Sequence, residues 1–238
     1  MKFDLIIDSR PSEVAIALLK DGVLIELHKE KHGKKYSVGD IYLSKIKRIN
    51  PGLNASFVSL GHEKDGFLHY LDLGPQINSF KKFSEKTLSK KLKTASLKNF
   101  KKESDITKDG KIKDVIIEKE KLLVQISKEA ISTKGPRLTT QLSLAGRYMV
   151  LLPFSDRVSV SQKINSSEEK SRLKNLIKSI KPHGFGVIIR TVAESKKVAE
   201  LDADLKNLYK KWQLLYKNLK NASPGDIVLG ELDKSSVI

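Results

Sequence analysis

Cysteine is absent from this chain of 238 residues, which excludes disulfide bonds and thiolate metal sites within it. The five histidines are scattered without the spacing of metal ligands, and no Walker, zinc or nucleophile-triad motif is present. No apolar run reaches transmembrane length, and the opening residues MKFDLIID lack the apolar region of a signal peptide. We therefore expect a cytoplasmic protein that does not span a membrane.

Positive charge is abundant, since the formal net charge is +17 and the pI is about 9.8. A general bias towards lysine, which keeps a protein soluble, would account for part of this excess without any ligand. An excess of this size also predicts affinity for a polyanion, with nucleic acid as the first candidate and an anionic membrane surface as a weaker one.

Short strands dominate the first third of the chain. Residues 3–29 read as an antiparallel sheet whose Asp21-Gly22 pair marks a hairpin turn. Residues 38–73 contain evenly spaced short strands with turns at Asn50-Pro51-Gly52 and Lys64-Asp65-Gly66, which is typical of a small OB-type barrel. Strands at 115–117 and 122–126 are expected to close this barrel.

Residues 74–113 interrupt the pattern, with twelve lysines between Lys81 and Lys113. We expect an extended, partly disordered loop inside the barrel. It is either a solvated, variable insertion or a basic arm that adds phosphate contacts.

The last third is predicted to be mixed α/β. A strand at 156–163 precedes a helix that begins at the Ser166–Glu169 capping box. A strand at 186–190 follows, and then a helix over about 194–221 carries an apolar seam from Val198 to Leu219. We expect this helix to pack on the sheet rather than to form a coiled-coil dimer. The fold class is therefore α+β, and further strand-like segments begin at residues 227 and 235.

Three groups of residues are candidate sites. Phe57 and Phe67 lie on successive barrel strands and would either stack on bases or belong to the core. Lys45, Lys47 and Arg48 lie nearby for phosphate. Arg190-Thr191 ends an apolar strand and would hold either a phosphate or an internal carboxylate, Glu194 or Asp202.

The stretch 124–153 places cations, hydroxyls and glycines between two strands, which suits phosphate or a solvated hairpin. Its cations include Lys128, Lys134 and Arg137.

The chain also resembles the ribonuclease E/G family of bacterial endoribonucleases. The matching segments, in order, are VAIALLKDGVLIELHKE, VGDIYLSKIKRINPGLNASFVSLGHEKDGFLH, VQISKEAISTKGPRLTTQLSLAGRYMVLLP, VSVSQKI, GVIIRTVAE and DLKNLYKKW. Together they cover most of the chain outside the lysine-rich insert.

This resemblance implies a division into modules. Residues 1–36 would be the N-terminal piece of a ribonuclease-H-like fold. Residues 37–140 would be an S1-type OB domain that binds RNA, with the insert at 74–113. Residues 141–235 would form a subdomain that senses the 5′ end of RNA, and 236–238 would start the remainder of a truncated chain.

The resemblance also implies roles for individual residues. Phe57 and Phe67 match the base-stacking pair, and Lys128 and Lys134 match basic positions near the cleavage channel. For a 5′-monophosphate, the matching positions are Arg190, Thr191, Gly146 and Val150.

The chain departs from the family pattern in three respects. The usual Tyr-Lys-Gly-Lys run is Tyr42-Leu43-Ser44-Lys45 here, so one cation is lost. The insert is longer than expected. Counterparts of the catalytic aspartates and zinc-linking cysteines are missing, so we expect catalysis to lie beyond Ile238 and this segment alone to be inactive and without a cofactor.

The expected function is therefore RNA binding and 5′-end sensing for a single-strand-specific endoribonuclease of RNA processing and decay. The full-length parent would use magnesium to activate water for phosphodiester hydrolysis, with structural zinc, and would assemble through C-terminal parts, leaving this segment monomeric. A non-catalytic RNA-binding protein of related architecture is the alternative, and a structural or ribosome-associated basic protein is a third. The endoribonuclease and the non-catalytic RNA-binding protein are distinguished by whether the reading frame continues with aspartate-bearing strands and a cysteine pair. A structural or ribosome-associated protein would show no 5′-end preference.

Overall fold

A computed structural model describes residues 2–10, 13–31 and 37–230 of the chain. These residues form two compact units, the N-terminal strands up to Ser37 and the unit Val38–Gly230. The predicted strand at 235–238 and the boundary at residue 235 lie outside the described residues. The predicted boundary between 140 and 141 falls within the second unit and stays a prediction.

The N-terminal unit is an antiparallel sheet of three strands in chain order, β1 (Phe3–Ser9), β2 (Glu13–Lys20) and β3 (Val23–Lys31). Asp21 and Gly22 join β2 to β3 with φ values of 49° and 83°. Two consecutive left-handed residues match the right-handed twist of a two-residue hairpin, which explains the Asp-Gly pair. The predicted opening sheet is therefore confirmed.

The second unit begins with a closed barrel of five strands, β4 (Ile41–Asn50), β5 (Ala55–Ser59), β6 (Gly66–His69), β7 (Lys121–Lys128) and β8 (Arg137–Thr139). Their order is β4-β5-β6-β8-β7, and β7 pairs back to β4. A late strand, β13 (Ile227–Leu229), pairs with β4 from outside this circuit. The predicted OB-type barrel is confirmed.

The insert is not the extended, solvated loop that the sequence predicts. Residues Ile77–Leu88 form helix α1, and Ile112–Val115 form a single turn, α2, where a strand was expected at 115–117. Phe80, Phe83 and Leu97 are buried in the core of the second unit. The prediction is wrong because it followed the high lysine content and overlooked Ile77, Phe80 and Phe83, which share one side of a helix and are buried there.

The α/β part of the second unit has a four-stranded sheet. Its strands are β9 (Leu144–Ala145), β10 (Met149–Pro153), β11 (Val158–Val160) and β12 (Phe185–Ile189), in the order β11-β12-β10-β9. Helix α3 (Ser167–Ile180) starts where Ser166 Oγ accepts a hydrogen bond of 3.1 Å from the Glu169 amide. This cap confirms the predicted helix start.

Helix α4 (Val198–Leu219) covers the sheet. Its seam is buried as predicted, except that Val198 is exposed; the buried members are Leu201, Leu205, Leu208, Trp212, Leu215 and Leu219. The Trp212 indole N–H donates to the Ala95 carbonyl at 2.8 Å, and its ring lies 4.8 Å from that of Phe83. The insert thus packs into the same hydrophobic core as the barrel strand β4 and the sheet.

None of the helices in the described part of the chain is long and apolar enough to cross a membrane.

Candidate nucleic-acid interface

Two phenylalanines lie side by side on the barrel surface. Phe57 of β5 and Phe67 of β6 are direct cross-strand partners, and their ring centroids are 6.0 Å apart in an edge-to-face arrangement. Both are half-buried, whereas neighbouring Val58 and Leu68 point into the barrel and are fully buried. The period-two alternation of strands therefore leaves ring surface available for stacking on a ligand.

These rings line a groove with a cavity volume of ≈ 1370 Å³. Four of the predicted cations also line this groove, namely Lys47, Arg48, Lys134 and Arg137. The guanidinium carbon of Arg48 lies 5.0 Å from the centroid of the Phe57 ring. Aromatic faces flanked by cations suit unpaired bases and their phosphates.

Carboxylates hold two of these cations in place. Lys47 contacts Asp65 at 2.7 Å, and Arg137 donates to both oxygens of Asp72 at 2.9 and 3.1 Å. Hydrogen bonds from Arg137 to Asp72 raise the pKa of the guanidinium above its ordinary value. Fixed side chains lose less conformational entropy when a ligand binds.

Gly135 allows the Lys134 turn to approach β6. A Cβ at Gly135 would lie 1.9 Å from the carbonyl oxygen of Asp65, which no side chain can tolerate. The turn is closed by the Lys134 amide, which donates to the Ile131 carbonyl at 2.9 Å. Glycine thereby brings the exposed Lys134 to the rim of the groove.

Lys45 and Lys128 do not line the groove. Lys45 is exposed on β4 opposite Ser59 and Lys121, and Lys128 is exposed at the end of β7 opposite Arg137. Their predicted part in RNA binding stays a prediction. Leu43, which stands at the lost cation position, is fully buried in the core.

A second group of predicted residues meets at the ends of β10 and β12. Arg190 follows β12, and its Nη1 donates to the carbonyls of Gly146 at 2.8 Å and Arg147 at 3.3 Å. Val150 is half-buried and pairs with Ile188, two residues before Arg190. The expected alternative, an ion pair with Glu194 or Asp202, is not found among the described residues, and Asp202 instead contacts Lys206 at 2.6 Å.

Carbonyl partners leave the charge of Arg190 uncompensated. Arg137 and Arg172 are each held by a carboxylate, whereas the carbonyls that fix Arg190 carry no net charge. The guanidinium is exposed, so it can still offer donors and a full positive charge to an anion. Thr191 is adjacent and half-buried, and its hydroxyl lies 2.9 Å from Ser161 Oγ.

Asp204 of α4 is not among the residues predicted from the sequence. Its carboxylate accepts hydrogen bonds from the amides of Arg147, Tyr148 and Met149 at 3.1, 2.9 and 3.2 Å. It thereby fixes the turn whose carbonyls hold Arg190. The only sequence signal is an acidic residue three positions after Leu201, on the apolar seam of α4.

A metal site is not formed by these residues. Over residues 2–10, 13–31 and 37–230, no three histidine or acidic side chains lie together as ligands. The magnesium and zinc that the resemblance implies for the full-length parent stay a prediction.

Comparison with known proteins identifies the family to which the chain is similar. Residues 143–238 match the Ribonuclease E/G family. The chain is 32% identical to Ribonuclease G of Escherichia coli (strain K12) over 232 residues, which is 98% of this chain and 44% of that protein. It is 35% identical to Ribonuclease G of Haemophilus influenzae over 88% of this chain and 39% of that protein.

The chain is also 38% identical to Ribonuclease E of Synechocystis over 75% of this chain and 23% of that protein. The chain spans less than half of the length of each of these three relatives. The resemblance read from the sequence is confirmed, since the matches extend from the barrel through the α/β part.

Proposed function

We propose that this chain, which belongs to the ribonuclease E/G family, captures single-stranded RNA and reads its 5′ end. In this proposal the barrel groove takes unpaired bases and the Arg190 region takes a 5′-monophosphate. The strand held in this way is the substrate of an endoribonuclease for RNA processing or decay.

The observation that carries the RNA-binding proposal is the Phe57–Phe67 pair, half-buried in a groove lined by Lys47, Lys134 and Arg137 on a closed OB-type barrel. Stacking on an aromatic ring contributes about 1–3 kcal/mol per base and tolerates any sequence. Both rings are only half-buried, so their accessible faces can stack on unpaired bases.

The 5′-end proposal is supported by the uncompensated charge of Arg190 and the neighbouring hydroxyl of Thr191. A terminal monophosphate carries more charge and more acceptor oxygens than a 5′-hydroxyl, so a fixed guanidinium discriminates between them. Asp204 already occupies the amides of residues 147–149, so the phosphate would be bound by side chains rather than by this turn.

In this proposal, cleavage is carried out by residues outside the two sites described above, and carboxylates would hold the catalytic magnesium. We keep as further predictions that the described chain is monomeric, inactive by itself and cytoplasmic.

Fluorescence anisotropy with labelled single-stranded RNA tests the binding proposal. Phe57→Ala and Phe67→Ala should each weaken binding about 5-fold to 150-fold, the equivalent of one lost stacking contact of about 1–3 kcal/mol. Leu214→Ala, an exposed apolar residue on α4, is the matched control and should leave affinity unchanged. If both phenylalanine variants kept their melting temperatures and bound RNA as tightly as the control, the two rings would not stack on RNA bases.

The same RNA carrying a 5′-monophosphate or a 5′-hydroxyl tests the end-sensing proposal. The unmodified chain should bind the monophosphate form more tightly, and Arg190→Gln should remove that difference while it leaves most of the general affinity. Lys178→Gln removes the same charge from an exposed position on α3 and should keep the preference. Equal binding of both end types by the unmodified chain would contradict 5′ sensing without affecting the barrel proposal.

A further inference from the structure

A second basic groove lies on the α/β part of the second unit, between the outer edge of β11 and helix α3. Its cavity volume is ≈ 630 Å³. The polar side chains that line it are three cations and three serines, with no acidic residue among them: Arg157, Lys170, Lys174, Ser159, Ser167 and Ser171. We call this surface the α3–β11 groove.

Helix periodicity produces one wall of the α3–β11 groove. Residues 167, 170, 171 and 174 are spaced by three, one and three positions, which places them on one face of α3. All four are serine or lysine, whereas Leu173 and Ile177 face the core. The helix therefore presents alternating hydroxyls and ammonium groups along the strand.

Strand register produces the other wall. β11 lies at the end of its sheet and is parallel to β12. The Val187 amide donates to the Arg157 carbonyl, and the Ser161 amide donates to the Ile189 carbonyl, so the odd-numbered residues bond to β12. The backbone groups of Val158 and Val160 consequently point to the free edge, where they line the groove.

The three cations of the α3–β11 groove differ from the other cations nearby. Lys102 contacts Asp156, and Arg172 donates to both oxygens of Glu169 at 2.6 and 2.7 Å. Within the described residues, Arg157, Lys170 and Lys174 have no carboxylate within 4.0 Å. Their charge is therefore available to an external anion.

One end of the α3–β11 groove lies next to the proposed 5′-phosphate residues. Ser161 directly follows β11, and its hydroxyl is 2.9 Å from that of Thr191. Cations, hydroxyls and backbone amides are the groups that proteins use to contact phosphates and sugars without reading sequence.

We propose that the α3–β11 groove binds the sugar-phosphate backbone of single-stranded RNA as a second, sequence-independent contact surface beside the barrel. This proposal rests on the RNA binding put forward above. It adds contacts that position the strand and does not alter the choice of 5′ end, since Arg190 and Thr191 are not part of the groove.

Binding measurements on the whole chain test this role. The triple variant Arg157→Gln, Lys170→Gln, Lys174→Gln should bind single-stranded RNA about 10-fold more weakly, and its slope of log K against log salt should be shallower by up to about 2, at about 0.7 for each lost phosphate contact. The ratio of affinities for 5′-monophosphate and 5′-hydroxyl RNA should be unchanged. The helix content measured by far-UV circular dichroism should be unchanged, since glutamine is a good helix former and should preserve α3.

The matched control is Lys98→Gln, Lys178→Gln, Lys217→Gln, which removes the same charge from three exposed lysines outside the α3–β11 groove. If both triple variants lose affinity equally, only total charge matters and the groove is not a binding surface. If the groove variant loses binding of labelled polyglutamate but not of RNA, the surface serves an acidic protein and the proposal is wrong. If the unmodified chain does not bind RNA at all, the proposed function itself fails.

Discussion

At the scale of single residues, Asp204 links the body of the second unit to the predicted 5′-phosphate residues. Its carboxylate satisfies three consecutive backbone amides, and the carbonyls at the start of the same turn fix Arg190. Gly146 faces Asp204 so closely that a Cβ there would lie 2.7 Å from Oδ2. Helix α4 thus positions the Arg190 guanidinium indirectly, through the turn that Asp204 holds, and does not contact the guanidinium itself.

Asp204→Ala should therefore both destabilise the fold and weaken 5′-end selection. Leaving partly buried amides without a partner costs about 1–3 kcal/mol. The released turn would no longer hold Arg190 at one position, so the preference for a 5′-monophosphate should fall while barrel binding persists. Thermal unfolding and paired RNA-binding curves measure the two effects.

Asp202→Ala is the control for this prediction, because Asp202 lies on the same helix and its contact with Lys206 is an exposed ion pair worth under about 1 kcal/mol. A stable Asp204→Ala protein with an unchanged end preference would show that the turn does not depend on this carboxylate.

At the scale of secondary-structure elements, Glu169 joins the first turn of α3 to the segment before α4. It accepts two hydrogen bonds from Arg172 and one of 2.9 Å from the Ser195 amide. The Arg172 hydrogen bonds are the main reason why the pKa of Glu169 is lowered to about 2. A carboxyl group with a lowered folded-state pKa stabilises the fold above its unfolded value, which is about 4.3.

The stabilisation from Glu169 should consequently depend on pH in one direction. The unmodified chain should melt at a higher temperature than Glu169→Gln above about pH 5, and the gap should close as the pH falls from about 4.3 towards about 2. Glu168→Gln, at the exposed neighbouring position, controls for the loss of one negative charge. A gap that widens in acid would contradict this account.

Elements with local signals were predictable from the sequence, and elements without them were not. Ser166 and the seam of α4 mark two helices, and the Asp21-Gly22 pair marks a hairpin, because caps, seams and turns depend on neighbouring residues. Ala95 accepts a hydrogen bond from Trp212, 117 residues away, and no local pattern in the sequence reports such a contact.

The same distinction holds for the candidate sites. Phe57 and Phe67 are adjacent because a short turn joins their strands, so their pairing follows from the sequence. Arg190 meets Gly146 across 44 residues, and only the family resemblance placed them in one site. The resemblance does not mark Asp204, and its one local signal, an acidic residue beside the apolar seam of α4, does not report the turn that it binds.

At the scale of the whole molecule, the insert ties the barrel to the α/β part. The Tyr216 hydroxyl donates to the Leu92 carbonyl at 2.7 Å, and the Asn54 side chain of the barrel accepts a hydrogen bond of 2.7 Å from the Ile112 amide. One hydrophobic cluster includes Ile41 and Leu43 of the barrel, Phe83 of the insert and Trp212 of α4. We therefore expect residues 38–230 to unfold as one cooperative unit.

Phe83→Ala distinguishes this arrangement from a solvated insert. Phe83 is fully buried and lies 4.8 Å, centroid to centroid, from the chain's single tryptophan, so its removal should cost about 3–5 kcal/mol. Trp212 fluorescence and far-UV circular dichroism should lose signal in the same transition, because packing and secondary structure fail together. Lys86→Ala, at an exposed position on the same helix, should change stability by less than about 0.5 kcal/mol. If Phe83→Ala changed stability as little as Lys86→Ala, or if fluorescence and circular dichroism were lost in separate transitions, the insert would not be the structural link between the barrel and the α/β part.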